Sequence, residues 1–108
     1  MRYLVEFAAS VNLDIKEITG SIAEFDSKEK ALYVHDRLNE VIESLATFPE
    51  RGSRPRELME LGNREYRQVF FKPYRVIYAV EKKRVLVHMV VDGRRDMQTL
   101  LARELLGR

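Results

Sequence analysis

The stretch EYRQVFFKPYRVIYAVEKKRVLVHMVV, Glu65 to Val91, holds three runs of strand-forming residues. Glu65 to Lys72, Tyr74 to Glu81 and Arg84 to Val91 are rich in aromatic and β-branched side chains, which fit a pleated, half-buried surface. Only Lys72-Pro73 and Lys82-Lys83 separate them, and connections that short force antiparallel neighbours, so the stretch is expected to be a three-strand meander. YRVIYAV and VLVHMVV are apolar on both faces for most of their length, which requires helices to cover one side of the sheet.

Upstream, Arg2 to Phe7 (RYLVEF) reads as a short strand with Tyr3, Val5 and Phe7 on one face. From Val11 the period changes, and Val11, Ile15, Ile18, Ile22 and Phe25 form one helical stripe. Asp26 followed by Glu29 has the spacing of a capping box that starts a second helix. There Ala31, Val34, Leu38, Val41, Leu45 and Phe48 repeat at three and four residues, Ile42 widens the stripe, and Pro49 ends it. Pro49 to Asn63, with Gly52, Pro55 and Gly62 among charges, is a connector with a short turn around Leu58 to Leu61. Downstream, Asp92-Gly93 closes the last strand, and Met97 to Leu106 can form a helix with Met97, Leu100, Leu101 and Leu105 on one side. The expected fold is therefore α+β, in the order β-α-α-β-β-β with a short C-terminal helix, as one domain over residues 1–108. Its core is expected where Val34, Leu38, Val41 and Leu45 meet Val76, Tyr78, Val87 and Met89 or their neighbours across the pleat.

Composition narrows the function classes. The 108 residues are 45% hydrophobic and 33% charged, as in a globular domain, and the absence of cysteine excludes disulfides and thiolate metal sites. No basic segment followed by a long apolar run opens the chain and no stretch approaches the ~18 apolar residues of a membrane span, so a cytoplasmic protein with no membrane partner is expected. Charge is divided along the chain. Residues 1–50 carry 5 Lys and Arg against 10 Asp and Glu, and residues 51–108 carry 14 against 7, a pattern that can place a positive field on one part of the surface.

Conventional chemistries find little support. There is no Gly-x-Ser-x-Gly elbow, no metal-ligand cluster and no phosphate-cradling glycine loop, so neither metal nor cofactor is expected. The two histidines, His35 on the second helix and His88 inside an apolar strand, read as structural. What remains is arginine. Arg67 and Arg75 lie near facing ends of the hairpin that turns at Lys72, and are expected to project from the same side of the sheet. Arg94 and Arg95 emerge where the last strand ends. Arg67, Lys72, Arg75, Arg94 and Arg95 are thus the candidate target-binding residues, because guanidinium forks bind phosphate or carboxylate and stay charged at any working pH. The alternative is salt bridging to Glu6, Glu65 or Asp96, worth only ~0–1 kcal/mol for an exposed pair.

With this order of elements, FPERGSRPREL (Phe48 to Leu58), EYRQVFFKPYRVIYAVE (Glu65 to Glu81) and VDGRRDMQTLL (Val91 to Leu101) resemble toxins of the RelE/ParE superfamily, over almost the whole chain. The resemblance implies the toxic half of a bacterial type II toxin–antitoxin pair, and a cognate antitoxin that wraps it with a flexible amphipathic segment. RelE-like members cut mRNA in the ribosome; ParE-like members bind and poison DNA gyrase. Arg67, Arg75 and Arg95 match three basic positions of the RNA-cleaving pattern, which would make them catalytic if this chain were an mRNA interferase acting on ribosome and mRNA. Val69 stands where that pattern has a second basic residue, and Met97 to Leu101 lacks its tyrosine. A positioned acid–base group typically contributes ~10²–10⁴-fold, so its absence weakens scission. The Gly-Arg-Arg-Asp run, the leucine-rich tail and the long helical hairpin are more similar to the ParE branch, which implies gyrase as target.

Overall fold

A computed structural model describes residues 2–107. The elements run β1 (Leu4–Phe7), α1 (Val11–Phe25), α2 (Lys28–Ser44), α3 (Arg56–Met59), β2 (Tyr66–Phe71), β3 (Tyr74–Glu81), β4 (Arg84–Asp92) and α4 (Met97–Leu106). The expected meander is present, with β3 between β2 and β4 and both pairs antiparallel. β1 adds to the outer edge of β4 as a parallel strand, from Leu4 opposite Arg84 to Phe7 opposite Val87, giving the order β1-β4-β3-β2. No helix among the described residues is long and apolar enough to cross a membrane.

Helices cover both faces of the sheet rather than one. α1 and α2 pack Val11, Val34, Leu38 and Ile42 on Val76, Tyr78, Val87 and Val90. On the other face Leu58 of α3 and Met97, Leu100 and Leu101 of α4 pack on Tyr66, Ile77, Met89 and Val91. This two-sided burial explains why β3 and β4 are apolar throughout. It also corrects the expected core at Met89, which lies opposite Val76, Tyr78 and Val87. The cause is a bulge: Ile77 pairs with Met89 but Tyr78 pairs with Val87, so His88 has no counterpart in β3. The extra residue reverses the alternation along β4.

Four boundaries differ from expectation. Ser27, not Asp26, caps α2: its backbone is extended and its side chain accepts from the Lys30 N–H at 3.0 Å. Asp26 instead follows α1 and pairs with Lys30 at 3.2 Å. α2 stops at Ser44, whose hydroxyl donates to the Val41 carbonyl at 2.6 Å, and the Tyr3 N–H takes the Ala46 carbonyl at 2.7 Å, tying the helix tail to β1. Phe48 consequently leaves the helical stripe and is exposed, while Leu45 stays fully buried. β1 is shorter than expected, with Tyr3 and Val5 against the core but Phe7 partly exposed at its end. In the connector, the turn forms two residues earlier than expected, as α3, and Leu58 fills the second core.

Candidate functional site

The expected pairing of Arg67 with Arg75 on one side of the sheet does not form. Cross-strand partners share a face, and Arg75 lies opposite Phe70, three residues from Arg67. An odd step along a strand reverses the face, so the two guanidiniums leave the sheet in opposite directions.

Arg75 is buried, at 8% exposure, and is fully engaged. Its two terminal nitrogens donate to the two oxygens of Glu57 on α3, at 2.9 and 3.0 Å, a bidentate fork. Its Nε donates to Gln68 Oε1 at 2.9 Å, as does one terminal nitrogen, and the guanidinium stacks over the Phe70 ring at 5.9 Å. The hydrogen bonds from Arg75 hold the Glu57 carboxyl below the usual carboxylate range, against the opposing effect of burial. Gly93 presses on the same arginine. A Cβ there would sit 2.8 Å from Arg75 Cδ and 3.0 Å from the Pro73 carbonyl, so glycine is required by close approach.

Arg67 serves the opposite face by holding the connector. It donates to the carbonyls of Gly52 at 2.8 Å and Glu50 at 3.3 Å. Beside it the buried Tyr78 hydroxyl donates to the Pro49 carbonyl at 2.8 Å and accepts from the Gly52 N–H at 3.1 Å. Burial pushes that phenol above its ordinary pKa. Ser53 and Gln68 exchange backbone hydrogen bonds at 3.1 and 2.7 Å, which covers the outer edge of β2.

The other three candidates gather at one end of the sheet. The Gly93 N–H donates to the Pro73 carbonyl at 2.8 Å, docking the turn after β4 against the β2–β3 turn, where Lys72–Pro73 is cis. Lys72, Arg94 and Arg95 are all exposed there. Asp92 accepts from Arg94 Nε and Nη2 at 2.9 and 2.6 Å and from its backbone N–H at 2.9 Å, and the Arg94 hydrogen bonds lower its pKa. Arg95 makes no side-chain hydrogen bond or ion pair among the described residues; its backbone N–H closes the turn on the Asp92 carbonyl at 3.2 Å. Asp96 then caps α4 by accepting from the Thr99 N–H at 3.2 Å.

Between this turn and α1 lies a groove of about 490 Å³. Ile18, Ile22, Tyr74 and Val90 line it with apolar surface, Asp14 and Glu17 face it from α1 and Asp26 from just beyond the helix, and Arg94 and Arg95 face it from the turn. Phe25, which the helical stripe would bury, stands 81% exposed beside it, at the last position of α1. Asp14 Oδ2 accepts from the Val90 N–H at 3.2 Å where β1 has ended and no strand pairs with that edge of β4. Burial raises the Asp14 pKa; Glu17 and Glu104 add to the rise, while the Val90 hydrogen bond and Arg95 oppose it.

His88 packs edge-on to Tyr66, ring centroids 5.1 Å apart, with its pKa lowered by burial, and His35 sits beside Asp36 and Asn39. No group of three or more His, Cys, Asp or Glu among the described residues could hold a metal ion. Glu57, Gln68 and Asp14 were not singled out by sequence reasoning, and Tyr78 was read only as a core residue. Their partners lie 7 to 76 residues away, beyond the reach of local pattern.

Comparison with known proteins follows the same lines. Residues 5–97 match the family model described as ParE toxin of type II toxin-antitoxin system, parDE. Among solved structures, a chain from the chromosomal ParDE toxin–antitoxin system of P. aeruginosa superposes with a TM-score of 0.71 at 17% identity, covering 84% of this chain and 96% of that one. No curated protein matches the sequence.

Proposed function

Because this chain belongs to the ParE toxin family, the toxin half of type II toxin–antitoxin pairs, we propose that it arrests growth by binding DNA gyrase and is neutralised by its cognate antitoxin. The observation that carries the choice of target is the parting of Arg67 and Arg75. Phosphodiester scission needs several cations around one phosphate, to hold it and to stabilise the charge that develops. Here Arg75 is committed to Glu57 and Gln68, Arg67 to backbone carbonyls on the other face, and Arg95 lies at the end of the sheet. Val69 and the tyrosine-free segment from Met97 to Leu101 favour the same choice. A binding inhibitor needs no such convergence. Lys72, Arg94 and Arg95, exposed side by side at the junction of two turns, offer a compact cationic surface on a rigid base to an anionic patch of the target.

The test is a direct comparison. Purified protein is added to a gyrase supercoiling reaction and, in parallel, to programmed ribosomes followed by primer extension. Loss of supercoiling with intact message is expected. Message cut in the ribosomal A site with normal supercoiling would transfer the chain to the RNA-cleaving branch.

A further inference from the structure

We infer that the exposed surface around Phe48, just past the end of α2, is a binding site for single-stranded nucleic acid, with a base stacked on the Phe48 ring and backbone phosphates held by Arg2 and Arg51. The inference goes beyond the growth-arrest reading and does not depend on it. β4 runs from Arg84, beside Leu4, to Asp92, so a site next to Tyr3 lies toward the other end of the sheet from Arg94 and Arg95.

Three features build the site. The first is a depression of about 670 Å³ whose apolar surface comes from Tyr3, Phe48 and Pro49. Because α2 stops at Ser44, Phe48 leaves the helical stripe and stands 63% exposed, an aromatic ring on which an unpaired base can stack. The second is a set of guanidiniums brought together from separate segments. Arg51 Nη1 donates to the Ser44 hydroxyl at 2.6 Å, Arg2 Nη1 to the Thr47 hydroxyl at 3.4 Å, and Arg67 to the carbonyls of Glu50 and Gly52. Each partner is a neutral oxygen. These bonds fix the guanidiniums near the C-terminal end of α2, which favours cations, and leave their charge uncancelled by any carboxylate ion pair among the described residues. The third is the scarcity of acid: Glu50 is the one carboxylate that lines the depression, and it pairs with neither Arg51 nor Arg2.

An aromatic ring beside unneutralised guanidiniums matches a strand that presents a base and a phosphate at every step. An acidic peptide would satisfy the charge and leave the ring without a stacking partner. A duplex keeps its bases stacked on one another, out of reach of Phe48.

The experiment measures fluorescence anisotropy of end-labelled oligothymidylate and oligouridylate of about twelve nucleotides with the purified toxin, beside a duplex of the same length and with polyglutamate as competitor. Single strands should bind about tenfold more tightly than the duplex, and polyglutamate of equal charge should not displace them. Phe48→Ala should weaken binding about fivefold with the salt dependence unchanged, whereas Phe48→Tyr should keep the parent affinity. Arg51→Gln should weaken it about threefold and make the slope of log affinity against log salt shallower by about 0.7. Glu50→Gln should tighten it, and Arg94→Ala/Arg95→Ala should bind like the parent. Circular dichroism confirms each variant's fold. The assignment is overturned by the absence of saturable binding at low salt, by a duplex that binds as tightly as the single strands, or by displacement with polyglutamate. Parent affinity in folded Phe48→Ala would overturn it too, as would losses in Arg94→Ala/Arg95→Ala equal to those in Arg51→Gln, which would reduce the effect to general charge. The thymidylate and uridylate arms separate DNA from RNA as the strand bound, and a preference for either accords with the assignment. Binding is read without gyrase, so failure of the gyrase assignment leaves this result interpretable by itself.

Discussion

Arg75 shows how one side chain is withdrawn from the surface by its surroundings. Its fork is filled by Glu57, its Nε by Gln68, and its stem is pinned beneath Gly93. Glu57→Gln should therefore change stability with a defined pH signature. The Arg75 hydrogen bonds hold the folded-state pKa of Glu57 below the ordinary carboxylate value, so the ion pair contributes its full stability above that ordinary value and loses it as pH falls through the folded pKa. Urea midpoints taken between about pH 3 and 6 should fall on acidification in the parent and fall less steeply in Glu57→Gln. Parallel curves would mean that the ion pair has no role in stability. The Tyr78 hydroxyl makes a second test. Tyr78→Phe strands the Gly52 N–H and Pro49 carbonyl, and should cost about 1–3 kcal/mol in denaturant unfolding with the helical and strand signals retained.

At the scale of elements, caps and register decide what a residue can do. Ser27 accepts the Lys30 N–H, so Ser27→Ala should lower stability by about 1 kcal/mol, whereas Asp26→Ala loses only an exposed ion pair and should change it by less than half as much. Thermal unfolding of the two variants compares them directly. The apolar period was enough to set Val11–Phe25 and Met97–Leu106 at both ends and to place the meander, because burial writes itself into spacing within one element. Three features were not legible. The bulge at His88 depends on how β4 pairs with β3, so Met89 reversed its face without a local sign. The end of α2 turned on the Ser44 hydroxyl rather than on Pro49. The faces of Arg67 and Arg75 follow from register between two strands, a relation that neither strand's own residues contain.

Across the whole molecule, the division of charge along the chain becomes a division between layers. The acidic half supplies α1 and α2, and the basic half supplies β2, β3, β4 and α4. The two meet where Glu17 and Asp26 face Arg94 and Arg95 across one groove, so the cationic end of the sheet adjoins an acidic wall. The cations concerned are exposed and support no core, in contrast to Arg67 and Arg75. Inhibition of gyrase supercoiling by the purified Arg94→Ala/Arg95→Ala protein, with its fold and melting temperature checked against the parent, is the most direct measurement. At least a tenfold rise in the concentration needed for inhibition is expected; a folded double variant as potent as the parent would contradict the account.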